Sequence, residues 1–294
     1  MSAQLTGAGV ALMLLAAAMA CRAGEPAAAK SVFAKDNLVA WCIVPFDTKR
    51  RGPRERAEML QRLGIRKLAY DWRGEHVPTF EDEILQLKAH GIEYFAFWAF
   101  HPAIVPLIRK HAIAPQFWLT VPSPKDGTQE EKVAAAAKGL LGHVEQTRQL
   151  GCKLGLYNHG GWGGEPANMV AVCQWLRANT KADHVGIVYN LHHGHGHIDD
   201  FPQALAAMKP YLLCLNLNGM TKGGPKILPI GDGAEDLAIF KAIAQSGYDG
   251  PLGIIGHRDD QDAEAVLAAN LRGIKKLLEL LGDQQALKTY ARGT

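Results

Sequence analysis

His184-Val185-Gly186-Ile187-Val188-Tyr189-Asn190-Leu191-His192-His193-Gly194-His195-Gly196-His197 begins as an apolar strand and ends in a cluster of imidazoles. Four of the twelve histidines of the chain fall in its last six residues. Imidazole is the commonest protein metal ligand and the side chain that titrates nearest neutrality. The interleaved glycines let the backbone bend sharply. Reactive side chains at the end of a buried strand are an arrangement expected of an α/β enzyme.

The same unit, an apolar run followed by an amphipathic stretch, recurs on either side. Strands are expected at Leu38–Pro45, Lys67–Trp72, Glu93–Trp98, Gln116–Val121, Lys153–Asn158, His184–Asn190, Tyr211–Leu217 and Pro251–Ile255. Helical spacing of apolar residues fills Pro53–Leu63, Phe80–His90, Pro102–His111, Gln129–Leu150, Ala167–Asn179, Asp200–Lys209, Glu235–Gln245 and Asp262–Leu281. Gly64, Gly91, Gly151 and Gly247 each stand between a helix and the next strand, where a C-cap belongs. Alternation of this kind predicts a parallel sheet, and eight repeats over 36–285 predict one (β/α)8 TIM barrel domain. An open doubly wound sheet is the alternative, but no G-x-G-x-x-G follows the first strand.

The chain has 294 residues, a formal charge of +3 and 48% hydrophobic content, ordinary for a globular protein. Cationic residues are scattered among acids, with no basic stripe carrying aromatics, so nucleic acid is not an expected partner. Val10–Ala20 is apolar, too short to span a bilayer, and followed by small residues. A signal peptide over 1–24 is therefore expected, with Cys21 raising a lipoprotein alternative, and a periplasmic or secreted location follows. Cys42, Cys152, Cys173 and Cys214 lie in apolar patterns without C-x-x-C spacing and read as buried free thiols.

In a barrel of this kind, chemistry sits on the loops that follow the strands. Those positions hold Asp71 and Arg73 after the second strand and Trp98 at the end of the third. Asn158 and His159 follow the fifth strand, Asn190 and the histidine cluster the sixth. Asn216 and Asn218 come from the seventh, His257 and Arg258 from the eighth. Indole faces stack on sugar C–H surfaces, while amides, carboxylates and guanidinium groups bind hydroxyls, so a small-molecule carbohydrate is the expected ligand. Structural readings stand beside these: Trp98 as core, and Asp71 with Arg73 as a bridge across the mouth. Gly160, Gly161, Gly163 and Gly164 lack the lysine of a phosphate-cradling loop.

Two passages carry a family likeness. Ile230-Gly231-Asp232-Gly233-Ala234-Glu235-Asp236, followed by Ser246-Gly247-Tyr248-Asp249-Gly250-Pro251-Leu252-Gly253-Ile254, resembles the approach to strand eight in the xylose isomerase-like TIM barrel family. Asn158-His159 and Asn190-Leu191-His192-His193 fall where that family has further motifs. The family includes sugar isomerases, epimerases and type IV apurinic endonucleases, and the resemblance implies a divalent metal held mainly by carboxylates. Here Tyr157 and Asn190 stand for the carboxylates of strands five and six, and Asn216 and Asn218 for the strand-seven ligands. Strand eight ends in Gly256-His257 without Glu, and His193 is the family residue retained. A nitrogen set of His159, His193, His195 and His257 suits a borderline cation (Zn²⁺, Mn²⁺, Co²⁺ or Fe²⁺), as an alternative to metal-free chemistry. In an extended segment His193 and His195 would share one side.

The leading expectation is an exported sugar-active enzyme of isomerase or epimerase type. His159 or His193 would be the base, with His257, Arg258 or a metal polarising the oxygen. Asp71, Arg73, Trp98, Asn158, Asn190, Asn216, Asn218 and Arg258 would contact substrate. A lyase or hydrolase of glycosides or oxidised sugars and a non-catalytic periplasmic carbohydrate-binding protein are the alternatives, and the chain leaves room for a homo-oligomer.

Overall fold

A computed structural model describes Met1 and residues 30–291. The expected signal peptide and Cys21 lie outside the described residues. Among the latter, eight parallel strands close in sequence order into a barrel. They are β1 (Leu38–Trp41), β2 (Lys67–Tyr70), β3 (Glu93–Trp98), β4 (Gln116–Thr120), β5 (Leu154–Tyr157), β6 (Val185–Asn190), β7 (Leu212–Leu217) and β8 (Leu252–Ile255). Closure is direct: Leu38 to Trp41 pair in register with Leu252 to Ile255.

Helices return the chain after each strand: α1 (Pro53–Leu63), α2 (Phe80–Ala89), α3 (Ile104–His111), α4 (Gln129–Gln149), α5 (Pro166–Asn179), α6 (Phe201–Met208), α7 (Asp236–Ser246) and α8 (Ala263–Leu281). A further helix, α9 (Gln284–Tyr290), packs against α8 and the segment that precedes β1, with Tyr290 Oη donating to the Phe33 carbonyl. The expected β1 and β2 runs are longer than the strands. Beyond Trp41 and Tyr70 the chain leaves the sheet to form the mouth, although the apolar residues continue.

Strand alternation divides the apolar residues into two layers. The outer layer, with Leu38, Leu68, Phe97, Leu156, Ile187, Leu215 and Ile254, packs under the helices. The inner one fills the barrel with Val39, Trp41, Ala69, Trp118, Tyr157, Val188, Cys214 and Ile255. Large rings need small neighbours here. A Cβ on Gly155 would stand 2.5 Å from Val188 and 2.9 Å from Trp118, and one on Gly253 1.8 Å from Asn216 Oδ1. Cys42, Cys152, Cys173 and Cys214 are buried free thiols.

Candidate active site

The aromatic filling of the barrel is the floor of the site. Trp41 (β1), Trp98 (β3), Trp118 (β4) and Tyr157 (β5) pack ring on ring, edge to face for Trp41–Trp118 (centroids 4.8 Å apart) and Trp98–Tyr157 (4.6 Å). Above them opens a cavity of about 90 Å³, lined by Trp41, Cys42, Phe46, Asp71, Arg73, Trp98, Tyr157, His159, His193 and His257. Larger surface hollows beside the loop into α1 and beneath α9 contain none of the residues expected at the site.

Six of the residues expected from the sequence therefore meet: Asp71, Arg73, Trp98, His159, His193 and His257. His159 and His193 lie with ring centroids 4.6 Å apart, and the edge of His193 faces Tyr157. His257 stacks on Phe46 at 4.0 Å, and the Arg73 guanidinium lies 5.6 Å from the same ring. Trp98 is at once core and wall, since it packs on the floor and lines the cavity.

Asp71 and Arg73 do not form the bridge considered above. The Arg73 guanidinium donates to the carbonyls of Asp71 and Trp72, at 2.8 Å each. Asp71 Oδ1 accepts from the Val44 amide at 3.2 Å, and Oδ2 has no partner. With the side chain only 1% exposed, burial raises this carboxyl to about 7, against the pull of the Val44 amide and of Arg73.

Burial acts in the opposite sense on the imidazoles. It holds His193 down at about 3, helped by His192 and His159, and His192 at about 4, helped by His257. His257 is lowered for the same reason, with Arg73 adding to it. Burial pushes the Cys42 thiol and the Tyr157 hydroxyl up. At neutral pH the half-buried imidazoles, the thiol and the phenol are thus uncharged, leaving Arg73 as the fixed cation of the lining.

Strain marks the same rim. Cys42 (φ 55°), Ala99 (φ 56°) and His257 (φ 42°) adopt left-handed backbone where β1, β3 and β8 end. Such conformations cost about 1–3 kcal/mol each for non-glycine residues and persist only where packing enforces them. The Cys42 carbonyl accepts from the His257 amide at 2.7 Å, which locks two of the three together.

None of the asparagines lines the cavity. Asn158 binds both backbone groups of Asn190, accepting from its amide (2.8 Å) and donating to its carbonyl (3.0 Å), and so staples β5 to β6. The Asn190 side chain donates to Tyr157 Oη and accepts from the His192 amide. Asn216 is buried inside the barrel with its Nδ2 unpartnered. Asn218 holds the following loop through the Lys226 carbonyl. Arg258 pairs with Asp260 outside the cavity. Trp41, Cys42 and Phe46 were missed as site residues. Their signal was the apolar run that closes β1 at Trp41 and continues beyond it.

The histidine cluster is not extended. Leu191–His193 and His195–His197 are single 3-10 turns, which keep His192 and His193 together, with ring centroids 4.3 Å apart, and send His195 and His197 elsewhere. His195 Nε2 meets the Lys226 carbonyl, and His197 is held between Glu165 and Asp200. The four-histidine set is thereby corrected: His195 does not line the cavity with the other three. Among the described residues no three or more His, Cys, Asp or Glu side chains are grouped to hold a metal ion. The chemistry of the donors agrees. Tyr157 and Asn190 bond to each other where the resemblance implies carboxylates, so these residues do not fit a hard divalent cation.

With its closed barrel and polar mouth, the chain has the fold of the xylose isomerase-like TIM barrels. No family model and no curated protein matches it. Among solved structures it is similar to 3-keto-D-glucoside 4-epimerase, YcjR, from E. coli (TM-score 0.63, 12% identity, 82% of this chain and 100% of that one). It is also similar to the IolI protein with a bound zinc atom (TM-score 0.61, 13% identity, 82% and 98% covered). D-psicose 3-epimerase with D-tagatose from Clostridium cellulolyticum aligns at TM-score 0.53 and 13% identity, covering 86% and 96%.

Proposed function

We propose that the chain is an exported carbohydrate-active enzyme that moves a proton on a carbon next to a sugar carbonyl, as an isomerase or epimerase does. The observation that carries this reading is the facing pair His159 and His193 in an aromatic-walled cavity that also holds Arg73. Similarity to sugar epimerases supports the substrate class.

The two imidazoles divide the work by exposure. His159 is exposed at the mouth and takes the proton from carbon. Half-buried His193 stays neutral and donates a hydrogen bond to the carbonyl oxygen as negative charge builds there. Arg73 adds a fixed positive charge beside that oxygen, and Trp98 presents a face to the sugar ring.

Incubation of the purified protein with methyl 3-keto-D-glucoside and with D-tagatose, followed by NMR in D2O, tests this. Deuterium should enter at a carbon next to the carbonyl, and His159→Ala should slow entry from one face by about 10²-fold or more. Tight binding of both sugars without exchange would instead make the chain a binding protein. Export rests on the apolar 10–20 segment, and N-terminal sequencing of protein recovered from the cell envelope would show cleavage near residue 20–24.

A further inference from the structure

Asp71 Oδ2 is a buried carboxyl oxygen without a partner, in a side chain that lines the cavity. Groups of this kind are costly to leave unsatisfied, and in native proteins they ask for an explanation. Arg73 does not supply one, because it turns to backbone carbonyls. The position in the barrel does. Asp71 follows β2, whereas His159 and His193 follow β5 and β6, and in a closed ring of eight strands β2 and β6 are four strands apart in either direction. The carboxyl thus stands three strands from His159 and four from His193, across one small cavity.

We propose that Asp71 is a second acid–base residue, serving the face of the substrate carbon opposite to that served by His159, and that the reaction inverts this carbon. The proposal rests on the function given above and narrows it from proton transfer in general to epimerisation next to a ketone or aldehyde. In the first step His159 takes the proton, the C–H electron pair becomes a C=C bond, and the carbonyl π pair moves to oxygen. The enolate oxygen is held by His193 and Arg73. In the second step the protonated Asp71 gives its proton to the opposite face of the carbon. The C=C pair forms the new C–H bond and the carbonyl returns. The enzyme is left with a His159 imidazolium and an Asp71 carboxylate, and proton exchange with water restores both. No oxidant, reductant or further reactant is needed. A single group on one wall would favour returning the proton to the face it left, which suits moving the carbonyl to the next carbon rather than inversion.

Face-by-face exchange in D2O tests the assignment, with methyl 3-keto-D-glucoside and D-tagatose as probes. Wild-type protein should convert a probe to its epimer with deuterium at the inverted carbon. Asp71→Asn should lower conversion by about 10²-fold or more while the epimer whose C–H faces His159 still exchanges. His159→Ala should show the mirror image, exchange surviving only in the other epimer, so the proposal stays testable even if one variant fails to fold. Conversion by Asp71→Asn at the wild-type rate, or an equal fall in both exchanges and in conversion, would overturn the role of Asp71. If wild-type protein moves the carbonyl without inverting a carbon, the inversion is wrong and the broader function stands. If wild-type protein exchanges neither probe, both readings fall.

Discussion

Replacing Asp71 by Asn should make the protein more resistant to unfolding at pH 8 than at pH 4.5, relative to wild type. Burial raises this carboxyl from its ordinary value near 3.8 to about 7. Ionising it in the folded state therefore costs about 4 kcal/mol more than in the unfolded chain, at about 1.4 kcal/mol per pH unit. The sign follows from proton counting. Below pH 4 both states hold the proton and no cost arises. Between pH 4 and 7 the unfolded chain releases it while the folded one retains it, so stability falls as pH rises. Above 7 the full cost is carried. The groups facing Asp71 are the Val44 amide, Arg73, Arg56, Cys42 and Tyr157, and the variant leaves them all in place. Asn keeps an acceptor for Val44 and never ionises. His192 and His193 are lowered and contribute the opposite slope, but equally in both proteins. Urea unfolding of the two proteins at half-unit steps from pH 4.5 to 8.5 reads the difference directly, against a total stability of about 5–15 kcal/mol. A difference that stays constant across this range would refute the raised carboxyl and remove one support of its proton-donor role.

Three further outcomes follow from the barrel interior, from an exposed helix turn and from the donor set. Gly253→Ala should lose about 1–3 kcal/mol in urea unfolding, because its Cβ would press on Asn216 Oδ1 inside the barrel. Gly142→Ala, in an exposed turn of α4 with no atom near its Cβ, should gain about 0.5–1 kcal/mol. Elemental analysis of the purified protein should find no zinc, manganese, cobalt or iron near one per chain, and EDTA should leave proton exchange unchanged. A stoichiometric metal lost in His193→Ala would reverse that.

The barrel was legible because its units are periodic. Pro53–Leu63 and Glu93–Trp98 coincide with the elements expected, since a proline opens the helix, Gly64 closes it and the apolar run Tyr94–Trp98 fills the strand in spite of a register shift against β2. α9 was not foreseen, being seven residues long and lacking the strand that would have framed it. At the site, strand-end position was enough to place Asp71, Arg73, Trp98, His159, His193 and His257 together. It was not enough for the asparagines. Amides at strand ends are equally suited to sugars and to backbone, and Asn158 and Asn218 meet backbone. The spread of the histidines depended on whether residues 191–197 run extended or turn, and the glycines permit either.

The passages that carried the family resemblance hold the scaffold rather than the chemistry. Asp236 accepts from the amides of Met220, Gly231 and Gly233 and so pins the loop after β7. Tyr248 Oη reaches the Pro251 carbonyl just before β8. These contacts position strand ends whatever reaction they serve. At two positions where the resemblance implies carboxylates, Tyr157 and Asn190 stand as hydrogen-bonded neighbours. Carboxylates at positions 157 and 190 would be two neighbouring charges in a buried site, tolerable together only around a cation or with one of them protonated. Tyr157 and Asn190 satisfy each other with one hydrogen bond and need no cation between them. Asp71 is the carboxyl of the cavity lining, and its second oxygen is buried without a partner.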